Sequence, residues 1–255
     1  MTYSEAEHHQ IRHLFDAKFA SEDWHGWAAQ IVDLPHTARV LDVGSGDGAF
    51  WHKLLDWPDG LDLTIMDPSP AVLADITKQL AKCDRAITES LVADLQTWQP
   101  RDRCYDRVLA LQACHHLTDP VRAIATLARA ITRDGIVYLS TAAPDDLALL
   151  KRICREALGV APGDEYQANW NSVVAQRQLK RHFSKVRRHS FMNRLAVSDA
   201  EDLCSYLVSM LPAQAIDRAQ RETLFWALHA AIKTAGGVLR IGRHLHLFVC
   251  SQRLG

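Results

Sequence analysis

The chain has 255 residues, 48% hydrophobic and 23% charged, with 29 Lys and Arg against 30 Asp and Glu for a net charge of −1. This is ordinary globular composition, long enough to bury a core without disulfides or metal, as one large domain or one domain with an insertion. The balanced charge argues against nucleic acid or an anionic membrane as partner, no apolar run reaches the roughly 18–20 residues of a membrane span, and the start MTYSEAEHHQIRHLF lacks the apolar core of a secretory signal.

In chain order, residues 4–34 read as two helices. Ser4 is placed to cap the first and Ser21 the second, and the helical spacing of Ile11, Leu14, Phe15 and Phe19 is repeated by Trp24, Trp27, Ala28 and Ile31. Pro35 stops the run. Arg39–Val43 is a short apolar strand ending in a glycine-rich turn, followed by helix over 48–56. Asp62–Met66 is a second strand; Ser69 as cap and Pro70 in the first turn open a helix over 72–82. Glu89–Ala93 and Asp106–Leu111 are further strands, Asp119-Pro120 opens a helix to about Ile131, and Gly135–Thr141 is a fifth strand. Helices are expected over 145–158, 172–182, 199–210 and 213–234. A loop is expected over 161–170, and strands at Lys185–Leu195 and His244–Ser251.

Alternating strands and helices at this spacing give an α/β fold, a doubly wound, mostly parallel seven-stranded sheet of Rossmann-like type, whose strands are apolar throughout because both faces are covered. The surplus helices divide the chain into an N-terminal helical lid (1–36), a core (37–143), and a remainder (144–255) that carries the last two strands and an inserted helical cap. Lid and cap are expected to close over the substrates.

The sharpest signal is Val40-Leu41-Asp42-Val43-Gly44-Ser45-Gly46-Asp47-Gly48. Alternate glycines let the backbone turn tightly and approach a ligand closely. Gly44–Ala49 also fits the dinucleotide pattern G-x-G-x-x-G/A, and Asp67 stands about 20 residues on, where that pattern keeps its ribose acid. Against a dinucleotide, Asp42 and Asp47 put carboxylates beside the place of a pyrophosphate, whereas a cationic ligand tolerates them.

The turn resembles the first motif, D-x-G-x-G-x-G, of class I S-adenosylmethionine-dependent methyltransferases. The resemblance runs in order through residues 38–141, with Asp67-Pro68 after the second strand, Asp94-Leu95 after the third, and Gln112-Ala113-Cys114-His115-His116-Leu117 after the fourth. It is closest to small-molecule enzymes that modify quinones and natural products.

The resemblance implies that S-adenosylmethionine is bound, and S-adenosylhomocysteine released, by Asp42, Gly44, Ser45, Gly46, Gly48, Asp67, Pro68, Asp94, Leu95 and Gln112. Asp42 would contact the amino-acid end, Asp67 the ribose hydroxyls, and Asp94 the adenine amino group. A small-molecule acceptor methylated at oxygen or carbon is expected, with no nucleic acid and no membrane partner. His115 and His116 are the candidate catalytic bases, with a purely positioning role as the simpler reading. A nucleic-acid or protein methyltransferase, or a cofactor-binding protein with a repurposed reaction, are the alternatives.

Three further groups carry plainer readings. His9 and His13 lie a helical turn apart, but no acids or cysteines complete a metal site, and no metal is expected. Lys180–His182 and Lys185–His189 read as a charged surface strand. Trp24, Trp27, Tyr166, Trp170, Phe225 and Trp226 could line an apolar acceptor pocket or pack the core. The six cysteines, Cys83, Cys104, Cys114, Cys154, Cys204 and Cys250, form no C-x-x-C pair and are expected to be reduced thiols of a cytoplasmic protein.

Overall fold

The computed structural model describes residues 5–101, 104–114, 117–164, 170–211 and 216–254. In chain order the elements are α1 (Glu5–Phe19), α2 (Trp24–Ala29), β1 (Arg39–Val43), α3 (Ala49–His52), β2 (Asp62–Asp67), α4 (Pro70–Ala81), β3 (Glu89–Val92), β4 (Tyr105–Leu111), α5 (Pro120–Ala130), β5 (Ile131–Ala142), α6 (Ala148–Leu158), α7 (Ser172–Leu179), β6 (Phe183–Val197), α8 (Ala200–Val208), α9 (Arg218–Thr234) and β7 (Leu239–Arg253). The strands form one seven-stranded sheet in the order β3-β2-β1-β4-β5-β7-β6. β1 runs parallel to β2 and β4, with Asp42 level with Ile65 on one side and Leu109 on the other. β5 is parallel to β4, and β7 is antiparallel to β5, closing on the rung Ala142–Leu245. Ser184 pairs with Gln252 and Ser190 with His246, so β6 runs antiparallel to β7.

The chain divides into two compact units. A sheet unit comprises 24–144, 169–191 and 245–255; a helical unit comprises 1–23, 145–168 and 192–244. In the sheet unit, alternation along each strand feeds two cores. Leu41, Val108 and Leu139 face one with Ile124, Leu127 and Leu179. Val40, Leu109 and Tyr138 face the other with Ala28, Trp51, Leu73 and Ile76. This two-sided burial is why the parallel strands read as unbroken apolar runs.

The helical unit has its own core, where Phe15 stacks on Tyr206 with ring centroids 4.0 Å apart, joined by Leu150, Leu203, Leu224 and Leu228. The expected lid of residues 1–36 is therefore divided: α1 packs in the helical unit through Phe15 and Phe19, and α2 in the sheet unit, where Trp24 and Trp27 meet Phe191.

Several local readings change. Ser21 does not cap α2; its hydroxyl donates to Asn193 Oδ1. Ser4 lies outside the described residues. The expected helix over 48–56 is α3 alone, a single turn. The Arg85 guanidinium takes the carbonyls of Trp51 and Leu54, which a longer helix would have used. The fifth strand, expected from Gly135, begins at Ile131 as β5 and carries a bulge, since register passes from Tyr105–Ile131 directly to Arg107–Ile136. α9 begins at Arg218, capped reciprocally by Asp217 and Gln220, rather than at 213. The Ser69 cap and the proline in the first turn of α4 stand as read, as does the proline opening α5 behind Asp119.

Candidate functional site

The site is built on the carboxyl ends of parallel strands, where open α/β sheets hold ligands. After β1 the backbone turns through Gly44, Gly46 and Gly48, at φ 66°, 56° and 74°, each left-handed. The three glycines do different work. A Cβ on Gly44 would lie 2.9 Å from Ala113 Cβ, and one on Gly48 would lie 2.8 Å from Ile76 Cγ1, so these two let the turn close against the protein. A Cβ on Gly46 would meet nothing within 4 Å, so there the backbone borders open space. Beside it, Ser45 Oγ is buried with no hydrogen-bond partner among the described residues. Buried hydroxyls without partners are rare in proteins. An exposed backbone turn next to one is what a ligand-binding cradle requires.

Asp42 stands at the end of β1 and is 3% exposed. Trp51 Nε1 donates to its Oδ2 at 2.6 Å. Burial pushes this carboxyl up to about 7; the charge on Asp67 acts in the same direction and the Trp51 bond opposes both. A cation arriving beside Asp42 would favour its ionised form. Asp67, at the end of β2, accepts from Ser69 N at 2.8 Å through Oδ1, which fixes the acid across Pro68 at the start of α4. Asp94, past the end of β3, accepts from Gln96 N at 2.8 Å through Oδ1. Leu95 is 4% exposed and its side chain packs in the core.

After β4, Gln112 adopts a left-handed φ of 56°, a strained conformation for a residue with a side chain. Fully buried Ser140 of β5 holds it there, accepting from Gln112 N at 2.8 Å and from Nε2 at 3.1 Å. Cys114 is buried, and burial pushes its thiol up to about 12, which removes it as a nucleophile at neutral pH. His115 and His116 lie outside the described residues.

Asp42, Gly44, Ser45, Gly46, Gly48, Asp67, Pro68, Asp94 and Gln112 thus stand at the ends of β1, β2, β3 and β4, all within the sheet unit. The aromatic candidates are not one set. Trp24, Trp27 and Trp170 belong to the sheet unit, Phe225 and Trp226 to α9 of the helical unit, and Tyr166 lies outside the described residues.

Three supporting residues were not visible in the sequence. Trp51 holds Asp42. Ser140 holds Gln112. Gln96 Oε1 accepts from Thr118 N at 2.8 Å and Asp119 N at 3.2 Å, tying the Asp94 turn to the far end of the loop after β4. A tryptophan in the first helical turn after the glycines was the only available hint of the first. Among the described residues no cluster of three His, Cys, Asp or Glu could hold a metal, and no helix is long and apolar enough to cross a membrane.

Comparison with known proteins agrees with this geometry. Residues 41–139 match the methyltransferase-domain family. A malonyl-[acyl-carrier protein] O-methyltransferase of Paenibacillus sp. is 26% identical over 144 residues, 55% of this chain and 51% of that protein. A trans-aconitate 2-methyltransferase of Variovorax paradoxus is 28% identical over 108 residues, 42% of this chain and 40% of that protein. The chain spans about half the length of these curated relatives, or less. The crystal structure of Bacillus subtilis YcgJ superposes with a TM-score of 0.63 at 14% identity, covering 91% of this chain and 98% of that one, which shows the fold. Over residues 41–139 the chain is thus similar to the methyltransferase-domain family, and it shares its fold with YcgJ.

Proposed function

We propose that this chain transfers the methyl group of S-adenosylmethionine to a small-molecule acceptor, at oxygen or carbon. The observation that carries the reading is the cradle at Gly46, open above the backbone and flanked by the unpartnered Ser45 hydroxyl. Carboxylates at successive strand ends frame it. Asp42 would hold the amino-acid end of the cofactor, Asp67 the ribose hydroxyls and Asp94 the adenine amino group. The Ser45 hydroxyl would find its missing partner on the ligand.

When bound, the sulfonium supplies an electrophilic methyl carbon and a thioether leaving group that needs no proton. The protein's own residues therefore act mainly by holding the reactants in line, an effect that can amount to many powers of ten in rate. Gln112, locked by Ser140, is the residue of this set nearest the end of β4, and His115 and His116 on the following loop are proposed to position the acceptor.

Small-molecule acceptors are favoured by the names of the two curated relatives, a malonyl-[acyl-carrier protein] O-methyltransferase and a trans-aconitate 2-methyltransferase. They are also favoured by the balanced charge and by Gln112-Ala113-Cys114-His115 standing where nucleic-acid enzymes keep Asn/Asp-Pro-Pro. All six cysteines are free, which suits a reducing compartment and a cytoplasmic location. Titration calorimetry with S-adenosylmethionine, S-adenosylhomocysteine, NAD and NADP tests the proposal. Binding of the first two alone is expected, and binding of NAD or NADP without them would reject it.

A further inference from the structure

Asp42 is held by a chain of contacts that runs from the glycine cradle to the end of α4, all of it within the sheet unit. α4 closes in a left-handed turn: Asp84 takes a φ of 54°, and Arg85 N donates back to Leu80 O at 3.1 Å. The turn delivers the Arg85 guanidinium to α3, where one nitrogen donates to Trp51 O and the other to Leu54 O at 2.5 Å. The same guanidinium lies over the Trp57 ring, 5.3 Å from its centroid. A one-turn helix does not hold itself together, so the placing of α3 depends on such outside bonds.

The Trp51 side chain is fully buried, edge-on to Phe50 with centroids 5.2 Å apart and tilted against Trp57 at 5.5 Å. With its ring fixed by these neighbours and its carbonyl by Arg85, Trp51 donates its indole N–H to Asp42 Oδ2 at 2.6 Å. No hydrogen bond reaches Asp42 Oδ1 among the described residues, which leaves that oxygen to a ligand.

A donor bonded to a carboxylate favours its ionised form, whereas burial and a neighbouring acid favour the neutral one. Asp42 has both of these against it, its own burial and Asp67 at the end of β2, and no cation acts on it among the described residues. The other charged groups on the adjoining segments are engaged or turned outward. Asp47 accepts from Ala49 N, His52 is exposed, and Arg85 is bonded to the two carbonyls. The Trp51 N–H is therefore the one group of the described residues that supports a carboxylate at position 42.

We infer that Trp51 and Arg85 are positioning residues of the cofactor site: Arg85 seats Trp51, and the Trp51 N–H keeps Asp42 in the ionised form that receives the cationic amino-acid end of the cofactor. The inference rests on the methyl-transfer reading and deepens it, since that reading is what puts an ammonium group beside Asp42. Both residues act through Asp42 and not on the ligand.

The test uses the full chain and titrates S-adenosylhomocysteine, which carries the same amino-acid end, by calorimetry between pH 6 and 9. Wild type is expected to reach half its limiting affinity near pH 7. Trp51→Phe keeps an aromatic ring and removes the donor, so its midpoint should lie about one pH unit higher. It should then bind about fivefold more weakly than wild type at pH 7 and within about twofold of wild type at pH 9. Arg85→Gln should move the midpoint the same way by less, and Arg85→Lys by least. A purely structural role would lower affinity by the same factor at every pH. That result, or a Trp51→Phe that follows wild type throughout, overturns the inference. Proton NMR of the unmutated chain gives a readout that needs no variant to fold. The Trp51 indole N–H resonance should titrate with the midpoint of the affinity curve, and a resonance that stays fixed from pH 6 to 9 overturns the inference. A wild type that binds no S-adenosylhomocysteine at any pH overturns the methyl-transfer reading, and this inference with it.

Discussion

Two buried acids, Asp146 of the helical unit and Asp42 of the sheet unit, have opposite surroundings. In the helical unit, buried Asp146 faces Arg243 and Lys151 and accepts from His244 N. Arg243 also donates to the hydroxyl of fully buried Tyr206. Burial still raises Asp146 above the ordinary carboxylate range, but its neighbours are cations, and the network closes on itself apart from Asp16 Oδ1, which is buried without a partner. In the sheet unit, Asp42 is as deeply buried, yet its bonded partner is the neutral indole of Trp51 and the nearby charge is another acid, Asp67. Asp42 and Asp67 stand at neighbouring strand ends beside the buried Ser45 hydroxyl and the open backbone at Gly46, and on the proposed function a ligand supplies the positive charge and hydrogen-bonding groups that meet them. The network of Asp146 and Arg243 therefore serves stability, as does the Arg107–Asp33 pair of the sheet unit, whereas Asp42 and Asp67 are proposed to serve binding.

The largest expected effect tests the first half of this contrast. Arg243→Leu leaves Asp146 with Lys151 as its remaining cation and Tyr206 without the guanidinium that donates to it, and breaking such a buried charged contact costs about 3–5 kcal/mol; chemical denaturation of the variant measures it. A loss under about 1 kcal/mol would mean that the network is not structural.

Asp67→Ala tests the second half. It should weaken S-adenosylmethionine binding by about 2–3 kcal/mol, the size of charge-assisted hydrogen bonds to a buried ligand. Stability should change by less than about 1 kcal/mol, because the carboxylate's bond to Ser69 N is local. Unchanged affinity would show that the ribose contact is misassigned.

A pH series sharpens the contrast further. The folded-state value for Asp42, about 7, lies above the ordinary 3.8, so the folded protein holds this proton more tightly than the unfolded chain. Its contribution to stability is full below about pH 4 and is lost as pH rises to about 7. Affinity for the cationic cofactor should run the other way, rising about fivefold from pH 6 to 7 and about twofold more before levelling above pH 8, as the carboxylate forms. Asp42→Asn should flatten both curves. A cofactor affinity independent of pH in wild type would separate Asp42 from the ligand. The smallest effect is that of Ser45→Ala, which should cost about 1 kcal/mol of cofactor affinity with no loss of stability, since the hydroxyl has no partner among the described residues.

How much of this was legible in the sequence follows from the same physics. The parallel strands were readable because burial on both faces demands apolar residues at every position, and the turn because alternate glycines announce left-handed backbone. Helix starts at Ser69 and Asp119 were readable because capping is local chemistry. The full extent of β6 was not. Its buried residues alternate through Phe191, Asn193, Leu195 and Val197, and Asn193 is buried only because it serves Ser21 and the carbonyl of Glu22, partners far away in the chain. Asp42 was recognisable as a site residue, but its indole partner was not, because nothing local in the residues between 42 and 51 specifies that contact. The same holds for Ser140 beneath Gln112 and for Asp145 against His244, which only strand register brings together.

The most direct test is a crystal structure grown with S-adenosylhomocysteine. The account predicts the ligand lying over Gly46, with its ribose on Asp67, its adenine edge at Asp94 and a polar atom within hydrogen-bonding distance of Ser45 Oγ. A ligand found elsewhere, or a cradle at Gly44–Gly48 that stays empty at saturating concentration, would contradict it.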